Sequence, residues 1–229
     1  MSKYLTENDD ISIKIAGEAG QAIDTITDII IKIFKLAEYN VFTAKEYMSR
    51  IRGGTNCSQI RISSTEITSC CNKVDFFFAL SQNSAEYFKH NISDETLVIY
   101  DDTFKNINID NACSYAVPLT TSSAKIGGKI FSNMIVAGMI FGLFKLDINF
   151  ITDSIKKSFL NKSEDIILKN IEAVKTGYDI GQSIIEKAEI IINIQQDPSV
   201  REKIITNGTE AAAIGFISGG CDFISSYPM

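Results

Sequence analysis

The sequence predicts an α/β protein, a mostly parallel sheet flanked by helices, followed by a short and incomplete C-terminal segment. Three observations carry this expectation. Residues 11–47 run strand, glycine turn, helix, strand, the order of a βαβ unit. Val74–Leu80 is almost wholly apolar, as in a strand buried on both faces. Beyond residue 128 the pattern changes to long helical periodicity, broken by a polar stretch near 195.

The elements follow in order. Ile11–Ala16 alternates apolar and polar residues and reads as a strand. Gly17–Ala22 is a tight turn, and 23–38 carries Ile26, Ile29, Ile30, Ile33, Phe34 and Ala37 at helical spacing. Val41–Tyr47 is the next strand, expected to pair in parallel with the first. Arg50–Thr55 is a loop because paired glycines break regular structure. Ser58–Ser63 and Glu66–Cys70 read as a hairpin, and 84–89 as a short helix. Strands are expected at 96–100 and 113–118, and helices at 128–144, 148–160 and 163–187 with Ser163 as N-cap. Gln195–Ser199 reads as a linker. After it come a small-residue helix at 209–219 and the start of a strand at 221–225.

Composition narrows the function classes. With 45% hydrophobic and 22% charged residues over 229, the chain is an ordinary globular one. A net charge of −6 with scattered Lys and Arg argues against nucleic acid. The apolar run Met134–Phe144 is too short to span a bilayer, and the N-terminus lacks a secretory pattern, so no membrane is expected and the cytoplasm is the expected compartment. The five cysteines (57, 70, 71, 113 and 221) form no Cys-x-x-Cys, which argues against a zinc or iron–sulfur site carried by this chain alone. The single histidine, His90, sits near a helix end, where it complements the helix dipole.

Two loops carry the candidate chemistry. Gly17–Ala22 has the strand–turn–helix setting of an anion site, but a dinucleotide fingerprint needs glycines at 17, 19 and 22, and this chain has Ala19 and Ala22. A structural turn and a phosphate-binding loop both remain open. Arg50, Arg52 and Arg61 fall close together, a local cationic patch around Gly53–Gly54 suited to a carboxylate, a phosphate or an acidic partner.

Taken together, Ile15–Gln21, Tyr47–Asn56 and Gln59–Ser63 resemble the gamma-type domain of 2-oxoacid:ferredoxin oxidoreductases, and Asp75–Leu80 is similar to the strand that follows there. Gly208–Ala211, Ile214–Gly215, Gly219–Phe223 and Tyr227–Met229 resemble the opening of the family's alpha, pyrimidine-binding domain. That order is the one of 2-oxoglutarate-type alpha subunits. The resemblance implies a pyruvate:ferredoxin oxidoreductase gamma-type domain at 1–193, a linker at 194–203 and a truncated start of the thiamine-diphosphate pyrimidine-binding domain at 204–229. It departs from the pattern at Ala22, where glycine is usual, and at Thr209, where asparagine is common. The Tyr-Pro-Met run also stops before the family's substrate-contacting threonine.

The resemblance further implies coenzyme A-dependent oxidative decarboxylation of a 2-oxoacid such as 2-oxoglutarate, with electrons passing to ferredoxin. Thiamine diphosphate, Mg and an iron–sulfur cluster belong to the holoenzyme and coenzyme A is a co-substrate, while this chain alone binds none of them. A thiamine-dependent beta subunit and ferredoxin are the implied partners in a hetero-oligomer. No residue here is given a bond-making role, and the chain alone is expected to be catalytically silent. Gly17, Gly20, Gln21, Arg52, Gly53 and Gly54 are the candidate site residues, near coenzyme A or at an interface. A free-standing nucleotide-binding protein using the 17–22 loop is the alternative, and a non-catalytic module docking an acidic partner a third reading.

Overall fold

The computed structural model describes residues 9–48, 54–105 and 113–225. Its strands are β1 (Asp10–Glu18), β2 (Asn40–Glu46), β3 (Thr55–Ser63), β4 (Phe76–Ala79), β5 (Leu97–Asp101) and β6 (Cys113–Val117). The helices are α1 (Ile23–Leu36), α2 (Gln82–Tyr87), α3 (Leu119–Ile126), α4 (Ser132–Leu143), α5 (Ile148–Ser158), α6 (Glu164–Lys187) and α7 (Gly208–Ser218). One sheet of order β2-β3-β1-β4-β5-β6 holds all the strands. β3 runs antiparallel to both neighbours, and the other pairings are parallel.

The period of two along β1 decides the layers. Ile11, Ile13 and Ile15 pack into the large core with α1, α4, α5 and α6, while Ala16 turns to a smaller core with Phe77 and Phe88. Both faces of β4 are buried, Phe76 and Phe78 on the large side and Phe77 on the small, as its apolar run requires. Each such phenylalanine contributes roughly 2–3 kcal/mol of transfer free energy. The smaller face also buries Lys14, whose Nζ donates to Asn91 Oδ1 at 3.0 Å, pairs with Glu46 at 3.4 Å and lies 4.5 Å from the Phe88 ring centroid. Burying that ammonium is tolerable only because it is paired.

Three expectations are corrected, and one helix was not expected. β1 and β2 do not pair, because β3 returns antiparallel between them and hydrogen-bonds to both. Residues 66–70 form no strand. That stretch is a loop pinned side-on, Gln59 Nε2 donating to the Cys71 carbonyl at 2.6 Å and Arg61 Nη1 to the Ser69 carbonyl at 3.1 Å. Residues 221–225 lack a strand, having no neighbouring ladder to join. α3, unforeseen, has a Ser/Thr-rich stretch of poor helix propensity and is organised from its N-terminus by Asp101, which accepts from Thr120.

α4 is apolar on every side and almost wholly buried, the core helix of the domain. No single helix among the described residues is long and apolar enough to cross a membrane. Residues 190–203 lie strapped across the end of α1. Asp197 N donates to the Glu38 carbonyl at 2.7 Å, Gln196 Nε2 to the Ala37 carbonyl at 3.0 Å and Lys35 Nζ to the Arg201 carbonyl at 2.9 Å. Arg201 pairs with Glu38, Lys203 reaches Asn40 and Glu66, and Ile194 and Val200 are buried. From Ile204 to Ser225 every residue is exposed, although α7 closes its own N-terminus through an Asn207–Glu210 capping box.

Candidate functional site

In an open α/β sheet the crevice forms at the carboxyl ends of the strands, where neighbouring connections leave to opposite faces. Here that place lies between β1, followed by α1 on the large-core face, and β4, followed by α2 on the other. The loop 17–22 fills it. Gln21 folds back so that its Oε1 accepts from Glu18 N at 2.8 Å and its Nε2 donates to the Leu80 carbonyl at 3.2 Å. A Cβ at position 17 would overlap the Gln21 amide and sit 3.0 Å from Leu80 Cβ, so glycine at 17 is what lets this side chain close the crevice.

Two further residues shape the turn. Gly20 has φ +92°, a conformation that favours glycine. Ala22 adopts φ 51° as the N-cap of α1. Holding an alanine there costs about 1 kcal/mol. It also leaves α1 without a side-chain cap. Asn133, at the start of α4, donates to the Gln21 carbonyl at 2.5 Å.

The two sequence-predicted segments meet: Ala19 N donates to the Gly54 carbonyl at 2.9 Å. Gly17, Gly20, Gln21 and Gly54 therefore share one corner of the molecule, while Arg52 and Gly53, with Arg50, lie outside the described residues. Between the segments is a pocket of about 220 Å³ whose walls include Glu18, Gln21, Ile23, Asp24, Tyr47 and Cys57. The Tyr47 hydroxyl donates to Asp24 Oδ1 at 2.8 Å, and Lys45 pairs with Asp28 at 3.0 Å and Asp24 at 3.4 Å. Burial and then the Asp24 carboxylate hold the Tyr47 hydroxyl above its ordinary range, so it acts there as a neutral donor.

Chemically the corner presents polar and charged groups but no nucleophile. Its thiol, Cys57, is 1% exposed and pushed up to about 12 by burial, with Lys14 opposing, so it is no nucleophile. Iodoacetamide at about pH 8 should leave Cys57 unmodified in the native protein and label it on unfolding, and rapid native labelling read by peptide mass would contradict this burial. Glu18 and Asp24 in the wall oppose a polyphosphate inside the pocket itself, and the loop is closed by its own glutamine rather than open as a phosphate cradle. Among the described residues no three His, Cys, Asp or Glu side chains converge to hold a metal ion. Sequence reasoning missed Asp24, Lys45, Tyr47 and Asn133. The first three could be found from the βαβ register, but Asn133 is 112 positions from its partner and leaves no local signal.

Comparison with known proteins follows the same outline. The family model described as pyruvate ferredoxin/flavodoxin oxidoreductase matches residues 12–180. The 2-oxoglutarate synthase subunit KorC of Archaeoglobus fulgidus is 27% identical over 177 residues, covering 76% of this chain and 90% of that protein. A 2-oxoacid:ferredoxin oxidoreductase alpha subunit of Sulfolobus is 24% identical, covering 96% of this chain and 40% of its own length. Among solved structures, a 2-oxoglutarate:ferredoxin oxidoreductase from Magnetococcus marinus, with 2-oxoglutarate, coenzyme A and succinyl-CoA bound, superposes with a TM-score of 0.81 at 25% identity. That match covers 93% of this chain and 38% of the larger one, so this chain spans about two fifths of both long relatives.

Proposed function

The chain belongs to the pyruvate ferredoxin/flavodoxin oxidoreductase family, and from that premise we propose that it serves as the gamma-type portion of an enzyme that oxidatively decarboxylates a 2-oxoacid, 2-oxoglutarate being the favoured substrate, with coenzyme A as acyl acceptor and ferredoxin as electron acceptor. Residues 1–193 form the gamma-type domain, 194–203 the connection and 204–229 the opening of a pyrimidine-binding domain. The differing reach of the relatives supports this division. A short separate subunit aligns with three quarters of the chain, whereas the long alpha subunit and the long solved chain extend into the tail.

The observation that carries the functional reading is the meeting of the 17–22 loop with Gly54 at the carboxyl end of the sheet. It sets two family-like segments side by side as one face, which we assign to coenzyme A or to the interface beside it. Thiamine diphosphate would supply the carbanion-stabilising chemistry when bound, and we assign it, its metal and the cluster to other segments or subunits. What this chain's residues do is hold shape: Gln21 closes the crevice, and Tyr47 and Lys45 fix Asp24 at its rim. The cytoplasm is the proposed compartment.

The test is coexpression with a thiamine-dependent beta subunit, followed by assay of 2-oxoglutarate- and coenzyme A-dependent reduction of ferredoxin. In that assembled enzyme Arg52→Ala is expected to raise KM for coenzyme A about 5- to 50-fold with assembly intact, the loss of one charge-assisted contact. An unchanged KM would remove coenzyme A from this face and leave it as an interface. Tight binding of NAD or ATP by the chain without a partner would overturn the whole reading.

A further inference from the structure

Four of the five cysteines of this chain are separate from the corner described above, and two of these are adjacent in sequence. Cys70 and Cys71 are both partly exposed and sit on the irregular segment between β3 and β4. Their settings differ. The Cys70 thiol lies 4.0 Å from the Gln59 carbonyl on the half-buried side, whereas the Cys71 thiol points to the exposed side, 3.4 Å from the Lys73 carbonyl. Burial raises the Cys70 thiol. Arg61 holds the residue before the pair, its Nη1 donating to the Ser69 carbonyl at 3.1 Å. The guanidinium is anchored first by Asp10 and also feels Cys71 and Cys70. Partial exposure makes both thiols reachable by a reagent, and two on neighbouring residues see one another at the high effective concentration of a tether.

We propose that Cys70 and Cys71 form a redox-active dithiol that a low-mass disulfide such as oxidised glutathione converts to a vicinal disulfide. The exposed Cys71 thiolate attacks one sulfur of the reagent, forming a mixed disulfide and releasing one glutathione thiolate. Cys70 then loses its proton and attacks Cys71 Sγ, closing the Cys70–Cys71 bond and expelling the second glutathione. Two protein thiols are oxidised and one reagent disulfide is reduced to two thiols. Adjacent Cα atoms are about 3.8 Å apart. That is closer than the roughly 4.4–6.8 Å of ordinary disulfides, so the ring is strained and readily reduced again.

The dithiol sits on a loop tied to the sheet, the Cys71 carbonyl accepting from Gln59 Nε2 at 2.6 Å while the same amide donates to Ser12 at 2.8 Å. The site is distinct from the 17–22 corner and does not depend on the proposed activity.

The experiment exposes the full chain to oxidised glutathione, blocks remaining thiols and digests with trypsin, which releases Ile62–Lys73 as one peptide. The expected result is a peptide lighter by two hydrogens and free of glutathione, restored by dithiothreitol. Phenylarsine oxide, which binds two neighbouring thiols, should add once to the wild-type protein and to Cys113→Ser and Cys221→Ser, and not to Cys70→Ser or Cys71→Ser. A glutathione adduct that persists on the peptide, or an arsenical adduct that survives in either single variant, would overturn the proposal. Should a serine variant fail to fold, the wild-type peptide mass decides alone.

Discussion

Gly177→Ala should destabilise the protein by about 2–4 kcal/mol, although the same change in an open helix ordinarily stabilises it by up to about 1 kcal/mol. The reversal of sign comes from the contact between α4 and α6. A methyl group at Gly177 would overlap the Ile135 carbonyl oxygen, 2.7 Å from its carbon and 2.9 Å from Met139 N. Gly181 meets the Met139 backbone in the same way, and Gly138 and Gly142 of α4 meet the backbones of Val174 and Tyr178. Each obstacle is main chain, which cannot swing aside as a side chain can, so the helices must separate. Ile135, Val136, Ile140, Val174 and Ile184 then lose their close packing. Thermal unfolding should show a midpoint about 4–16 °C lower for a domain of this size. The control is Gly215→Ala on α7, where nothing lies within 4 Å, and a neutral or slightly stabilising result is expected. Equal effects at the two positions would mean that the helices do not meet through their glycines.

Asp101→Ala should cost about 3–5 kcal/mol, comparable to breaking a buried charged network. The Asp101 carboxylate is 2% exposed and accepts four hydrogen bonds. Oδ1 accepts from Thr103 N at 2.9 Å and Thr103 Oγ1 at 2.8 Å, and Oδ2 from Thr120 N at 2.7 Å and Thr120 Oγ1 at 2.5 Å. One side chain thereby ends β5, shapes the turn after it and caps the first turn of α3. Burial alone would raise this carboxyl, but the bonds from Thr120 and Thr103 outweigh it and hold its pKa below the ordinary value. A carboxylate with a lowered folded-state pKa adds stability that is complete above its unfolded pKa and disappears as pH falls through the folded one. The wild type should therefore lose stability as pH drops below about 4. Asp101→Ala, already lacking that contribution, should show a flatter acid limb in urea titrations at stepped pH. Parallel acid limbs would show that the bonds do not favour the ionised form.

Much of the architecture was legible because its signals are local. β1 and α1 announce themselves by period, β4 by its unbroken apolar run, and α6 by Ile171, Val174 and Ile185 facing the core. What was not legible depends on distant partners. β3 displaces β2 from β1 through pairing that no window of either strand encodes. α3 has little propensity of its own and depends on a carboxylate on β5. Residues 66–70 had the composition of a strand, but Arg61 takes up the Ser69 carbonyl from the side and Gln59 that of Cys71 just beyond. At the corner, the glycines were visible as turn formers, and Ala22 stands out in the sequence where a left-handed residue is needed. That Gln21 would reach Leu80, 59 positions on, needed the fold.

The strap over α1 changes how cooperativity is divided along the chain. Asp197, Gln196, Arg201 and Lys203 bind the stretch before residue 204 into the same unit as the sheet. Ile204, Ile214, Phe216, Ile217, Phe223 and Ile224 add nothing to that unit, being at least half exposed. An 11-residue helix alone in water sits near the margin of helix formation. The two stretches are thus separate foldons joined by the irregular, exposed residues 204–207: the strap melts with the core, whereas α7 can fray without disturbing it.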